Sequence, residues 1–194
     1  PGKVRTLRSL SPSILDKSNV AVHGDRVAWQ QARGDSLDLL IADGPNAQPR
    51  RLLSMSTRPS NEISFSRDGK LLAMHYSTGP GSPDLMAIVD ADGRTAPHII
   101  ETGLTYWYWP RWLPDHTGVL VIGGGAGAEA NVVLVPVRNG AKPVNVTRDD
   151  PSMKWGFELS PDGRFIAYPG EIWKGSSIWK FDLEAPARAA RAMP

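Results

Sequence analysis

Several groups of residues in this 194-residue chain have types and spacings that could carry chemistry. The run VIGGGAGAEAN (121–131) places Gly123, Gly125 and Ala128 in a G-x-G-x-x-A pattern after an apolar strand. A dinucleotide-binding turn uses that spelling because its glycines let the backbone approach a pyrophosphate, which the N-terminus of the following helix then holds. Here the segment that follows, NVVLVPV (131–137), has the composition of a strand, and so the run reads as a loop between strands. No G-x-x-x-x-G-K-[ST] phosphate loop is present.

Acid–base and nucleophilic chemistry finds little footing. Serine hydrolysis needs a hydroxyl activated by a histidine, and no G-x-S-x-G elbow occurs. There are no cysteines, which excludes disulfides, thiolate metal ligands and cysteine nucleophiles together. The four histidines, His23, His75, His98 and His116, are scattered, with no H-x-x-x-H spacing or flanking carboxylate pattern. Asp90-Ala91-Asp92-Gly93 spells part of a calcium loop but lacks the further oxygen ligands and the closing Glu, so a hairpin turn explains it. Asp149 and Asp150 precede Pro151, again in turn chemistry. No catalytic residue, metal ligand set or cofactor is assigned.

The remaining feature is aromatic: Tyr106-Trp107-Tyr108-Trp109, then Trp112, with Trp155 in a corresponding place further on. Strict strand alternation sends Tyr106 and Tyr108 to one side and Trp107 and Trp109 to the other. One pair would wedge between sheets, and the rest could anchor a peptide or a sugar. With His23, these residues form the candidate binding set.

What must position them is a repeat. EISFSRDGKLLAMHYS (62–77) is echoed by PRWLPDHTGVLVIGG (110–124) and GFELSPDGRFIAYPG (156–170), with a weaker copy, VAVHGDRVAWQQ (20–31), ahead of them. Each is an apolar strand, a polar turn and a second apolar strand. Third strands follow as DLLIAD (38–43), DLMAIVD (84–90), NVVLVPV (131–137) and SIWKFDL (177–183). Fourth strands follow as PRRLLS (49–54), PHIIE (97–101), KPVNVT (142–147) and ARAARAM (187–193). The turn markers Arg26, Lys70, Val119 and Arg164 lie 44, 49 and 45 residues apart, the period of a four-stranded propeller blade. The turn of the third copy, Asp115-His116-Thr117-Gly118, reads as a lengthened version of Asp68-Gly69 and Asp162-Gly163. No segment has a helical period. The prediction is an all-β chain, a β-propeller of four-stranded antiparallel blades, with blades at about 19–54, 62–101, 109–147 and 155–193 of a single region, 1–194. Residues 4–10, VRTLRSL, read as the outer strand of a preceding or closing blade.

Composition agrees: 41% hydrophobic and 22% charged residues are ordinary for a packed domain, and 19 Gly with 17 Pro suit a chain that turns often. The net charge of +2, without clustered Lys and Arg, argues against nucleic acid. No run of about 18 apolar residues is present, so no membrane insertion by a helix is expected, and the first residues lack the basic-then-apolar order of a signal peptide. A mature exported protein would look the same.

At SRDGK (66–70) and SPDGR (160–164), each followed by an apolar strand, and at SIWKFDL, the chain resembles the TolB-like propeller repeat over about 170 of its residues. Arg67 stands where that repeat usually has Pro, and the first copy lacks the Ser-Pro pair. The resemblance implies that the first strand of each blade lines an axial channel, near residues 19–23, 62–66, 110–113 and 156–160. It also implies about six blades, so that four repeats would be part of a larger propeller, or else a small ring closed by residues 4–10. It implies a non-catalytic scaffold that binds a protein or peptide, in a periplasmic or other extracytoplasmic setting. Similar repeats form the substrate-gating propeller of prolyl oligopeptidase-like serine peptidases, which is the alternative. A third reading is a carbohydrate-active propeller with a metal at the axis, in which His23 would be the residue to watch. The oligomeric state is not read from the sequence.

Overall fold

The computed structural model describes residues 17–56, 62–76, 78, 84–125, 130–138, 140–148, 150, 152–172 and 175–182. Every regular element among them is a strand, and the strands form four antiparallel sheets in chain order. The first sheet runs β1 (Lys17–His23), β2 (Arg26–Arg33), β3 (Ser36–Ala42) and β4 (Arg50–Ser56), each paired with the next. The second repeats this with β5 (Ile63–Phe65), β6 (Leu71–Tyr76), β7 (Leu85–Asp90) and β8 (His98–Glu101). The third has β9 (Tyr106–Trp112), β10 (Gly118–Gly124), β11 (Asn131–Pro136) and β12 (Val144–Asn145). In the fourth, β13 (Met153–Lys154) and β14 (Glu158–Leu159) both pair with β15 (Phe165–Ile172), so they are two pieces of one interrupted inner strand, and β16 (Gly175–Asp182) pairs with the other edge of β15.

Alternation within the strands decides how the sheets stack. Leu37, Leu39 and Ile41 of β3 meet Leu72, Met74 and Val89 of the second sheet in one buried cluster. Ala73, Met86 and Ile88 of the second sheet meet Val119, Val121, Val133 and Val135 of the third. Leu120, Ile122 and Val132 of the third meet Phe157, Ile166 and Tyr168 of the fourth. The middle strands β6 and β10 are apolar on both faces because each sheet packs on two neighbours, and each fully buried Leu, Ile, Val or Met contributes roughly 1.5–3 kcal/mol. Among the described residues no cluster joins the first sheet to the fourth; Val20 and Val22 of β1 and Ile178 of β16 stay exposed.

The hairpin between inner and second strands sets the repeat. Ser66 Oγ donates to Asp68 Oδ1 (2.8 Å) and accepts from the Leu71 amide (2.9 Å), while the Lys70 amide donates to the same carboxylate (3.1 Å). Ser160, Asp162, Arg164 and Phe165 reproduce the arrangement. The third copy has the same turn at the same length, which corrects the expectation of a longer one. The His116 amide donates to Leu113 O as the Gly69 amide does to Ser66 O. His116 takes the left-handed position (φ 60°) occupied by Gly69 and Gly163, and Gly118 is already the first residue of β10. Asp115 holds that turn from the Thr117 amide and hydroxyl. The first copy alone is shorter, with His23 pairing directly with Arg26 around Gly24 and Asp25. In this register the equivalent residues are Arg26, Leu71, Gly118 and Phe165, 45, 47 and 47 residues apart, a more even repeat than the sequence markers suggested.

The expected fourth strand at 142–147 is a regular strand only over β12, and the Val146 amide continues the pairing to Val132 O (2.8 Å). The expected strands at 187–193 and 4–10 lie outside the described residues.

Candidate functional site

The inner strands carry a second repeated feature, a bulge. Asn19, Glu62 and Trp109 occupy equivalent places and all have positive φ (51°, 60° and 65°). In β1 and β9 the pairing slips at this point. Gly156 stands there in the fourth copy. A left-handed residue inside a strand kinks it and breaks side-chain alternation, and this governs the aromatic run. Trp107 faces the second sheet, where it is 1% exposed and its ring lies 5.4 Å from that of His75. Tyr106 and Tyr108, stacked at 6.4 Å, turn toward the fourth sheet. The bulge sends Trp109 to the same side as the tyrosines, against the alternation expected from sequence. Burial holds the Tyr108 hydroxyl above the ordinary phenol range, with Tyr106 adding to it. Trp155 is exposed between β13 and β14. His23 ends β1 and packs on the next turn: its ring lies 5.9 Å from Phe65, and a Cβ on Gly69 would come within 2.2 Å of it.

Beyond the bulge, one inner-strand position holds Ala21, Ser64, Arg111 and Glu158 in the four copies. The last three line an open groove of about 320 Å³ between the inner strands of the second, third and fourth sheets. Phe65, Trp112 and Leu159, one residue on, supply apolar wall, and the hairpin turns contribute Arg67, Pro114, Ser160 and Pro161. Trp112 is the one member of the sequence-derived set in the lining; its Nε1 donates to Ser64 O (3.0 Å), tying β9 to β5. Arg67 reaches from the second sheet's turn to donate to Pro161 O of the fourth sheet's turn (2.9 Å). The groove thus falls on the segments expected to face a channel, 62–66, 110–113 and 156–160, while β1 takes no part in its lining.

The electrostatics centre on Arg111. Its guanidinium sits 5.4 Å from the Trp109 ring centroid, donates to Pro110 O (3.0 Å) and lies 3.8 Å from Glu62. Burial pushes the Glu62 carboxyl above the usual carboxylate range, against the opposing pull of Arg111. The groove serines are engaged elsewhere: Ser160 Oγ donates to Asp162 (2.6 Å) and Ser64 Oγ makes a long contact with Phe65 O (3.5 Å), so neither is bonded to a histidine. His75 Nε2 pairs with Asp84 at 2.9 Å, buried away from the groove. Among the described residues no group of three or more His, Asp or Glu side chains could hold a metal ion. Within the Gly-rich run, Gly123 is explained by packing: it lies in β10 where a Cβ would come within 2.7 Å of Tyr106 O, and β11 follows the run as a strand.

With this geometry in hand, solved structures offer a match. TolB from Acinetobacter baumannii superposes with a TM-score of 0.66 at 12% identity, over 89% of this chain and 42% of that one. The fold is a TolB-like β-propeller. A prolyl endopeptidase structure matches with a TM-score of 0.59 at 18% identity, over 87% of this chain and 28% of that one. The β-propeller domain of the Trilobed protease from Pyrococcus furiosus matches at 0.52 and 9% identity, over 87% and 69%. At these identities the likeness is one of fold, and the chain spans less than half of the TolB and prolyl endopeptidase structures. No protein-family model and no curated protein sequence matches it. Among the described residues of this propeller, no helix is long and apolar enough to cross a membrane.

Ser64, Arg111, Glu158 and Ser160 lie within the segments expected to face a channel, though aromatic content did not single them out, and Arg67 lies just outside those segments. The signal available was the repeat itself: one register position that changes from Ala to Ser to Arg to Glu while its neighbours stay apolar.

Proposed function

We propose that this chain is a non-catalytic propeller scaffold that binds a protein or peptide in the groove between its second, third and fourth inner strands, in a periplasmic or other extracytoplasmic setting. The observation that carries this reading is the convergence of three equivalent positions, Ser64, Arg111 and Glu158, on one open groove walled by Phe65, Trp112 and Leu159. Apolar walls with a few convergent polar groups are the usual make-up of a binding site. The groove's serines lack the histidine partner that hydrolysis would need. The resemblance to TolB structures is what supports the setting.

Because the chain has no cysteine, a single Ser160→Cys substitution gives one attachment point for a photo-crosslinker inside the groove. Crosslinks from Ser160→Cys and none from Ser36→Cys, which lies at the opposite end of its sheet, support the reading. Absence of any groove crosslink, together with turnover of a substrate by the isolated protein, would sink it.

The second reading, a substrate-gating propeller of a prolyl oligopeptidase-like peptidase, is favoured by the likeness to a prolyl endopeptidase structure. It predicts that a crosslink from the groove is made to a hydrolase domain and not to a separate binding partner.

A further inference from the structure

We propose that the groove selects a peptide segment carrying a single carboxylate, Asp or Glu, which the Arg111 guanidinium grips in the manner of a fork; this rests on the peptide-binding reading above. The argument starts from how few of Arg111's donors are in use. A guanidinium has five N–H donors in a fixed plane. In Arg111 one of them is spent on Pro110 O, and Glu62, at 3.8 Å, is beyond hydrogen-bonding distance. The group is one-third exposed, and the Trp109 ring beside it limits its rotamers, so little freedom is left to lose when a ligand arrives. A planar donor fork in the lining of a groove matches the two oxygens of a carboxylate, and such charge-assisted pairs are about twice as strong as neutral hydrogen bonds.

The rest of the lining narrows the class. Arg67 likewise shows one bond, to Pro161 O, and Glu158 makes no ion pair among the described residues. Two guanidinia therefore share the groove lining with one carboxylate that makes no ion pair among the described residues, and Glu62, outside the lining, lies 3.8 Å from Arg111. A phosphate or polyanion entering there would meet Glu158 and Glu62 as like charges. A peptide with one carboxylate, flanked by neutral or amide-bearing residues that can donate to Glu158, meets both signs correctly. The walls Phe65, Trp112, Pro114 and Leu159 take its apolar side chains.

The test is a display selection of random twelve-residue peptides on the whole protein, run in parallel on Arg111→Gln, Arg111→Lys and Arg111→Glu, each first checked for an unchanged β-sheet circular dichroism spectrum and melting temperature. The expected result is enrichment of Asp or Glu at one fixed position, with about a tenfold weaker dissociation constant when that residue is changed to Asn or Gln in a synthesised winner, the weight of one charge-assisted bond. Arg111→Gln should lose the acidic preference, Arg111→Lys should weaken it by loss of the fork, and Arg111→Glu should turn the selected residue to Lys or Arg. Peptides enriched with no acidic preference, or with one that Arg111→Gln leaves intact, overturn this inference while leaving peptide binding standing. Enrichment on none of the folded proteins overturns the peptide-binding reading and this inference together.

Discussion

The seam between the first and second sheets and the seam between the third and fourth are built on the same apolar plan and carry different electrostatics. At the first, Arg26 donates from Nε to Asp43 (2.8 Å), from Nη2 to Asp92 (2.7 Å) and Ala91 O (3.0 Å), and from Nη1 to Gly69 O (2.9 Å). Arg50 shares both Asp43 and Ala91 O, and Arg94 shares Asp92. This network is partly wet, with the Arg26 side chain 22% exposed. At the other seam the Lys154 side chain has no exposure: Nζ donates to Asp150 O, lies 3.7 Å from the Asp150 carboxylate and faces the Tyr168 ring at 5.9 Å. Burial pushes the Tyr168 hydroxyl well up, reinforced by its hydrogen bond to Asp150. The short turn of the first copy puts an arginine where it can reach four acceptors, while the interrupted inner strand of the fourth sheet carries a lysine inward with one carboxylate for company. A distributed, hydrated network tolerates loss of a member; a dry ion pair does not.

The sharpest way to break this contrast is Lys154→Ala, expected to cost about 3–5 kcal/mol because it leaves Asp150 without its cation beside a cavity. Urea unfolding measures it, and a loss below about 1 kcal/mol would show that the third seam is no drier than the first. Arg26→Ala comes next, at about 2 kcal/mol for charge-assisted bonds whose carbonyl acceptors partly recover water. Raising the salt to about 1 M should shrink the Arg26 effect and leave the Lys154 effect standing, since screening reaches exposed pairs and not buried ones; equal shrinkage would erase the distinction.

Acid offers a third probe. Asp92 is held below the ordinary carboxylate range, first by its bond to Arg26. Asp150 is held low too: burial pushes it up, and the Ser152 amide, the Tyr168 hydroxyl and Lys154 outweigh that. Both have folded-state values below the unfolded one, so their stabilisation is complete above about pH 4 and lost as pH falls through the folded-state values. Melting temperature should therefore drop steeply below about pH 4, and Asp150→Asn should flatten that drop; an unchanged acid limb would contradict the role given to Asp150. The smallest effect is at Glu62, whose carboxyl is raised by burial. Glu62→Gln should change stability at pH 7 by no more than about 0.5 kcal/mol, as for other half-exposed pairs, and a larger loss would mean that Glu62 holds Arg111 more firmly than a 3.8 Å separation implies.

The repeat, the all-β class and the hairpin turns were legible in the sequence because they depend on residues close together in the chain. Ser66 with Asp68 and Ser160 with Asp162 fix a six-residue turn by local hydrogen bonds, and alternating apolar residues mark which strands lie between sheets. The third copy was misread for a local reason as well: Gly118 resembled the turn glycine, while the left-handed residue was His116, which a sequence does not mark. Likewise Trp109 carries no sign that it takes positive φ, yet that one torsion decides which side of β9 the aromatic run faces.

The candidate groove was half legible. Three of the four segments expected to face a channel, 62–66, 110–113 and 156–160, contribute to the groove, because that follows from position in the repeat, whereas 19–23 does not. Which side chains matter there did not follow, since Ser64, Arg111 and Glu158 lie 47 residues apart from copy to copy and carry no shared chemistry. The sequence by itself determined the all-β class, the order of the repeated strands and the Ser-Asp turns of the second and fourth copies, through short-range bonding and apolar period. Only the tertiary structure decided that Arg111 and Glu158 line one groove. That juxtaposition comes from stacking separate sheets, and no local pattern in the chain encodes how three of them meet.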